Sequence, residues 1–169
     1  MVDVLCPGYE IRVGSSLDRA LLVKVMQRTY KELHPHQSVS HLTGTVDQYL
    51  SRDTPLRWVY AQENSLVKPE LPFSGAGAAR SSVGCLWLGD AVDQIEGDRH
   101  AYIFLLYVAP DYRRQGIGSA LMRRAEKWAQ DRGDRKISLQ VFSDNQPALE
   151  MYNQLGYQTQ SFWMTKRLG

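Results

Sequence analysis

Nine consecutive residues, Ala101-Tyr-Ile-Phe-Leu-Leu-Tyr-Val-Ala109, carry no charge and almost no polarity, and Pro110-Asp111 closes the run. It is too short to cross a bilayer, which takes about 20 apolar residues. It is also too uniform for a strand with one solvated face, which would alternate. The run predicts a central β-strand covered on both faces.

The residues that follow predict a helix. From Gly118 to Arg132, Ile117, Leu121, Ala125 and Trp128 form an apolar stripe, while Arg123, Arg124, Lys127 and Asp131 take the opposite face. Gly133 supplies a stop. Lys136 to Phe142 alternates and predicts a strand. Asn145 or Asp144 then caps a helix with Pro147 in its first turn and Gly156 at its end. Tyr157 to Lys166 predicts one or two closing strands. Strand, helix, strand and helix in succession require a crossover, and so a partly parallel sheet.

Before the central run, Tyr9 to Val13 predicts a strand closed by Gly14, and Ser15 with Asp18 resembles a capping box. Leu17, Leu21, Val25 and Met26 predict the buried stripe of a helix running to about Leu33, and Val46 to Leu50 a short second helix. Leu56 to Ala61 and Ser82 to Leu88 are rich in aromatic and β-branched residues and predict strands. The segment 64–81 between them holds Pro69, Pro72, Gly75 and Gly77. Hairpin loops usually run two to five residues, so it reads as a surface insertion, a lid or a partner-binding loop.

Composition narrows the function. At 169 residues the chain fits one domain, 1–169. Twenty Lys plus Arg against eighteen Asp plus Glu leave a net charge of +2, which argues against a nucleic-acid partner. The N-terminus lacks a signal peptide's basic and apolar regions and no run is long enough for a membrane span, so a cytoplasmic protein is expected. Cys6 and Cys85 lie far apart with no metal-ligand spacing. No metal site and two free thiols are expected, with Cys85 in the core.

Chemistry concentrates in Asp111-Tyr-Arg-Arg-Gln-Gly-Ile-Gly-Ser119, between the central strand and the helix. Gly116 and Gly118 let a ligand approach the backbone, the helix N-terminus offers free N–H groups, and Arg113 and Arg114 add charge. Such a turn suits a pyrophosphate. It is not a P-loop, since no Gly-Lys-Ser/Thr follows, nor does it fit a dinucleotide fingerprint. A second segment, Ser143-Asp-Asn-Gln-Pro-Ala-Leu-Glu-Met-Tyr-Asn-Gln-Leu-Gly-Tyr157, puts Ala148, Met151, Tyr152 and Leu155 on one helix face.

Together these segments resemble the GNAT superfamily of acyl-CoA-dependent N-acetyltransferases. The resemblance covers about 101–166 and rests on the apolar strand, Pro-Asp-Tyr, Arg113-x-x-Gly116-x-Gly118, the amphipathic helix, the next strand, Asn145, Tyr152 and Leu155-Gly156-Tyr157. It implies a single α/β (α+β) domain, with a central mixed sheet, a splayed parallel strand pair and helices on both faces. It also implies acetyl-CoA as acyl donor and an acyltransferase (EC 2.3.1.-). The acceptor would be a small-molecule amine or a protein N-terminus or lysine, and the family analogy allows a homodimer through the terminal strands. Residue by residue, it puts Leu106, Tyr107 and Val108 along the pantetheine arm, with the Val108 amide as oxyanion donor. Arg113, Arg114, Gln115, Gly116, Ile117, Gly118 and Ser119 fall at the pyrophosphate, Asn145 on the cofactor arm, and Tyr152 near the thioester sulfur.

The sequence departs from the family pattern in its carboxylates. Ile103, Phe104, Leu105 and Leu106 are apolar where relatives often carry an acid, and Gln140 stands where others carry a Glu. Glu96, Asp98, His100, His34, His36 and His41 are the remaining proton-acceptor candidates. Trp58, Tyr60, Trp87 and Tyr102 are candidates for an acceptor cleft. The missing acids keep open an alternative, a non-catalytic acyl-CoA-binding or sensing protein.

Overall fold

The computed structural model describes residues 3–62 and 81–169. The expected long segment 64–81 therefore lies outside the described residues except for Ser81. The elements run β1 (Val4–Cys6), β2 (Tyr9–Val13), α1 (Arg19–Leu33), α2 (Leu42–Tyr49), β3 (Leu56–Ala61), β4 (Gly84–Val92), β5 (Arg99–Val108), α3 (Ile117–Asp131), β6 (Ile137–Leu139) and α4 (Gln146–Gln154). The six strands form one mixed sheet in sequence order. All neighbours are antiparallel except β5 and β6, which are parallel across the α3 crossover.

The apolar run became β5, two residues longer at its start and one shorter at its end than expected, and fifth of the six strands rather than central. Its burial alternates, with Ala101, Ile103, Leu105, Tyr107 and Ala109 buried and Tyr102, Phe104, Leu106 and Val108 only partly so. Full cover of both faces was expected, and the structure corrects this. Beyond Ile103, β5 has no neighbour on its β6 side, because the parallel ladder joins only Ala101, Tyr102 and Ile103 to Ile137, Ser138 and Leu139.

A bulge sits where that ladder ends. Trp87 lies opposite Leu105 and Leu88 opposite Ile103, leaving Phe104 with no opposite residue. Phe104 and Leu105 therefore both turn to the face where Phe104 meets Tyr49 of α2 and Trp87 of β4. Gly89 makes room for this ring: a Cβ there would stand 2.1 Å from the Phe104 Cε2.

Helices cover the two faces. On one, Leu22, Val25 and Met26 of α1 and Leu42 and Val46 of α2 pack into the core that holds Trp58, Cys85 and Trp87; on the other, α3 buries Ile117, Leu121, Met122 and Ala125. The capping box at Ser15 and Asp18 forms, but on a 3-10 turn, so α1 starts later and Leu17 is 92% exposed. Leu22 takes the buried place expected for Leu17, because the stripe is set by α1's own phase. The second helix begins at Leu42 rather than Val46. Trp128 is half-buried under the Arg132 guanidinium, 4.2 Å from the ring centre, rather than in the core. Cys6 and Cys85 are free thiols, and Cys85 is fully buried as expected. No helix among the described residues is long and apolar enough to cross a membrane.

The expected strand 136–142 shortens to Ile137–Leu139, and the closing strands expected in 157–166 do not form. A three-residue edge offers few backbone hydrogen bonds to offset the roughly 1–2 kcal/mol per residue lost on ordering a tail. Residues from 158 onward are exposed, Trp163 at 83%.

The bulge predicts a specific sensitivity. Gly89→Ala pushes the Phe104 ring out of its seat, and overpacking of this kind costs about 1–3 kcal/mol. Thermal unfolding should show the midpoint falling by about 2–4 °C for each kcal/mol lost. An unchanged midpoint would mean that the ring does not need the glycine.

Candidate active site

The parting of β5 from β6 leaves backbone groups unclaimed. The Ala109 amide donates to the Val83 carbonyl at 2.9 Å, on the β4 side. Backbone groups of successive residues point to opposite sides of a strand, so the amides of Val108 and Leu106 point into the gap. The Val108 carbonyl on that side accepts from the Arg113 Nε at 2.8 Å. Tyr107, between them, turns its ring to the α1 face, where its hydroxyl donates to Glu32 at 3.4 Å. Burial and the neighbouring Glu32 carboxylate push the Tyr107 phenol up to about 12.

Next to the gap is the start of α3. The chain turns through Arg114 at φ 63° and Gly116 at φ 83°, both left-handed. Gly116 is the N-cap, no side chain caps the helix, and the first intrahelical bond runs from the Ala120 amide to the Gly116 carbonyl. The N–H groups of Ile117, Gly118 and Ser119 are thus free of helical partners and lie at the positive end of a 15-residue helix. An added Cβ at Gly116 would meet nothing within 4 Å, so its glycine answers a backbone demand. At Gly118 the Cβ would stand 3.1 Å from the Met151 Sδ. That glycine lets α4 pack against α3, a packing reason that the sequence did not show.

Two anchors hold this turn, and neither was legible in the sequence. The Tyr9 hydroxyl of β2 donates to the Gln115 Oε1 at 2.5 Å. The Arg113 guanidinium bridges the Val108 carbonyl and the Glu32 Oε2, the latter at 2.6 Å. Glu32 also takes Arg28 Nε at 3.1 Å. Arg113 therefore ties α1, the end of β5 and the turn together, while Arg114 is exposed with no such tie among the described residues.

On α4, the Asn145 side chain caps the helix by accepting from the Ala148 amide at 3.4 Å. Tyr152 is half-buried, 5.9 Å from the Tyr157 ring, and its hydroxyl has no hydrogen-bond partner among the described residues. Burial pushes its pKa up to about 12.

The other proton-acceptor candidates scatter. Glu96 and Asp98 pair with Lys136 and Arg135 at the far end of β5, roughly 30 Å from Val108 at about 3.3 Å per residue. His100 is buried there too, its Nε2 2.7 Å from the Ser138 Oγ. His36 and His41 are exposed, and only His34 reaches the gap side, its ring edge-on to Phe142 at 4.6 Å. Of the aromatic cleft candidates, Trp58, Tyr60 and Trp87 fill the core and Tyr102 is left partly open. No cluster of metal-ligating side chains occurs among the described residues.

Known proteins share this architecture. The family model of the acetyltransferase (GNAT) family matches residues 22–157. An uncharacterized N-acetyltransferase of Methanocaldococcus jannaschii is 38% identical over 74 residues, 44% of this chain and 31% of that protein. A thialysine N-epsilon-acetyltransferase of Bos taurus is 38% identical over 60 residues, 36% of this chain and 35% of its own length. The chain thus spans about a third of these curated relatives. The crystal structure of an aminoglycoside 6'-N-acetyltransferase from Acinetobacter baumannii superposes with a TM-score of 0.62 at 19% identity, covering 96% of this chain and all of that one. At that identity the likeness concerns the fold.

The buried phenol of Tyr152 gives a pH dependence of known sign. Below pH 10 the phenol is neutral in both the folded and unfolded chain. Between about 10 and the folded value of about 12 the unfolded chain releases the proton and the folded one keeps it, so stability falls as pH rises. Ultraviolet titration of the wild type minus Tyr152→Phe should show one phenolate appearing near pH 12. Ionisation near 10 would mean an unburied ring.

Proposed function

The chain belongs to the acetyltransferase (GNAT) family, and on that premise we propose that it is an N-acetyltransferase carrying an acetyl group from acetyl-CoA to a primary amine. The observation that carries this reading is the gap between β5 and β6 opening beside an uncapped helix N-terminus. One place thus offers unpaired strand amides for an amide-bearing arm and a cradle of N–H groups for a pyrophosphate.

In this reading, Leu106, Tyr107 and Val108 line the arm, and the turn from Arg114 to Ser119 holds the pyrophosphate. Arg113 holds the frame, since its guanidinium is engaged with Val108 and Glu32. Bound acetyl-CoA supplies an activated acetyl carbonyl and a sulfur that departs as a thiolate. The Val108 amide donates to the carbonyl oxygen as it gains charge, a role worth about 2.7–4 kcal/mol for one well-placed donor. Tyr152 donates a hydrogen bond to the departing sulfur and keeps its proton. From a phenol at about 12 to a thiolate of pKa near 8.5, full transfer would run uphill by about 5 kcal/mol. Glu32 is held by Arg28 and Arg113, so the proton of the attacking amine leaves through water.

The reading is tested by calorimetry with acetyl-CoA, followed by an amine panel scored for free CoA and, by mass, for acetylated product. Binding with product formation is expected. Binding without product would turn the protein into an acyl-CoA sensor, and no binding at millimolar cofactor would remove both readings. Tyr152→Phe should lower kcat at least about tenfold, the loss of one charge-assisted hydrogen bond of about 1.5–3 kcal/mol, and leave acetyl-CoA binding within about twofold.

A further inference from the structure

The face of the gap turned toward α1 and α2 is built of rings. Tyr102 and Phe104 of β5 stand edge to face at 5.3 Å, and Phe104 lies 5.1 Å from Tyr49 of α2. Across the gap, Phe142 follows β6 and meets Tyr30 at 5.7 Å and His34 at 4.6 Å, both from the α1 segment. Tyr102 belongs to the first group through Phe104. Burial, then the phenols of Tyr30 and Tyr49, push its pKa above the usual value. None of the three has a hydrogen-bond partner among the described residues. Tyr49 and Phe142 are each 42% exposed, which leaves the wall open to solvent.

Strand alternation puts Tyr102 and Phe104 on one face, and the bulge at Phe104 brings Tyr107 round to that face as well, where β5 has lost its β6 partner. None of the wall's own side chains is an acid. The sole acid of α1, Glu32, is held by Arg28 and Arg113, the sole acid of α2, Asp47, by Arg19, and β5 contains no acid. A polycationic acceptor would find the carboxylates of α1 and α2 already engaged, with the exposed Asp144 two residues beyond Phe142, whereas a flat ring finds edges and faces at stacking distance and hydroxyls for its polar substituents.

We infer that the acceptor is an arylalkylamine, a primary amine joined to an aromatic ring by a short alkyl chain, with its ring seated against Tyr49, Tyr102 and Phe104 or against Tyr30, His34 and Phe142. This rests on the N-acetyltransferase reading above and names the acceptor class for that site. It sets the chain apart from a relative in fold whose described substrate is an aminoglycoside.

The full chain is titrated, in the presence of CoA, with phenethylamine, butylamine and kanamycin by calorimetry, and the same three amines are then offered with acetyl-CoA. Phenethylamine should bind and be acetylated at least about tenfold better than butylamine, the scale of one or two ring contacts, and better than kanamycin. One of Tyr49→Ala and Phe142→Ala, substitutions at exposed positions, should cut kcat/KM for phenethylamine about tenfold while acetyl-CoA binding stays within twofold. Tyr102→Phe, which keeps the ring, should retain most of the preference. Kanamycin or butylamine binding or reacting as well as phenethylamine would overturn the inference, as would a preference unchanged in both Tyr49→Ala and Phe142→Ala. Either result leaves acetyl-CoA binding intact, whereas failure to bind acetyl-CoA would remove the N-acetyltransferase reading itself.

Discussion

The site depends on one backbone event, the loss of β5's partner at Ile103. A strand in the middle of a sheet has its polar groups claimed on both sides, and a buried amide without a partner is costly. Here one side stays paired to β4 through Val108, while the other is released after three residues of β6. The Phe104 bulge falls at the point of release. Beyond it the side chains change face, so that Tyr107 joins Tyr102 and Phe104 on the α1 face beside the open backbone edge. Gly89 on the neighbouring strand permits this because it has no Cβ for the ring to strike.

A second layer of interactions keeps that geometry in register with the turn before α3. Arg113 clamps the Val108 carbonyl to Glu32, and Tyr9 holds Gln115 from the second strand. Individually such partly exposed ion pairs contribute about 0–1 kcal/mol, too little to define a fold. Their effect is positional: they fix a left-handed turn at Arg114 and Gly116 against a strand end. Arg113 thus has a structural engagement in place of the free cation suggested by its motif position.

Much of the fold was legible because it follows from local pattern. The apolar run 101–109, the stripe of α3, the Asn145 cap and Gly156 each specify an element through period or backbone conformation, and all of these elements formed. Leu17 and the tail were misread for the converse reason. An apolar residue is buried only if a partner surface exists, and neither Leu17 nor Phe162 has one among the described residues. The turn 113–119 was legible as a glycine turn into an uncapped helix start because glycine and a helix start are local facts.

By itself, then, the sequence determined the strand–turn–helix unit and the order of elements, since hydrophobic period, capping residues and glycines act within a few residues of themselves. Only the tertiary structure decided which side chains of that unit are free. It engaged Arg113 with Glu32, 81 positions away, and set Glu96 and Asp98 at the distant end of β5. It also brought Tyr30 against Phe142, and Tyr49 and Tyr102 against Phe104, from separate segments of the chain. Those assignments rest on pairing register and on a single bulge, and a one-residue step in register exchanges the two faces of a strand. No residue type announces such a step in the sequence.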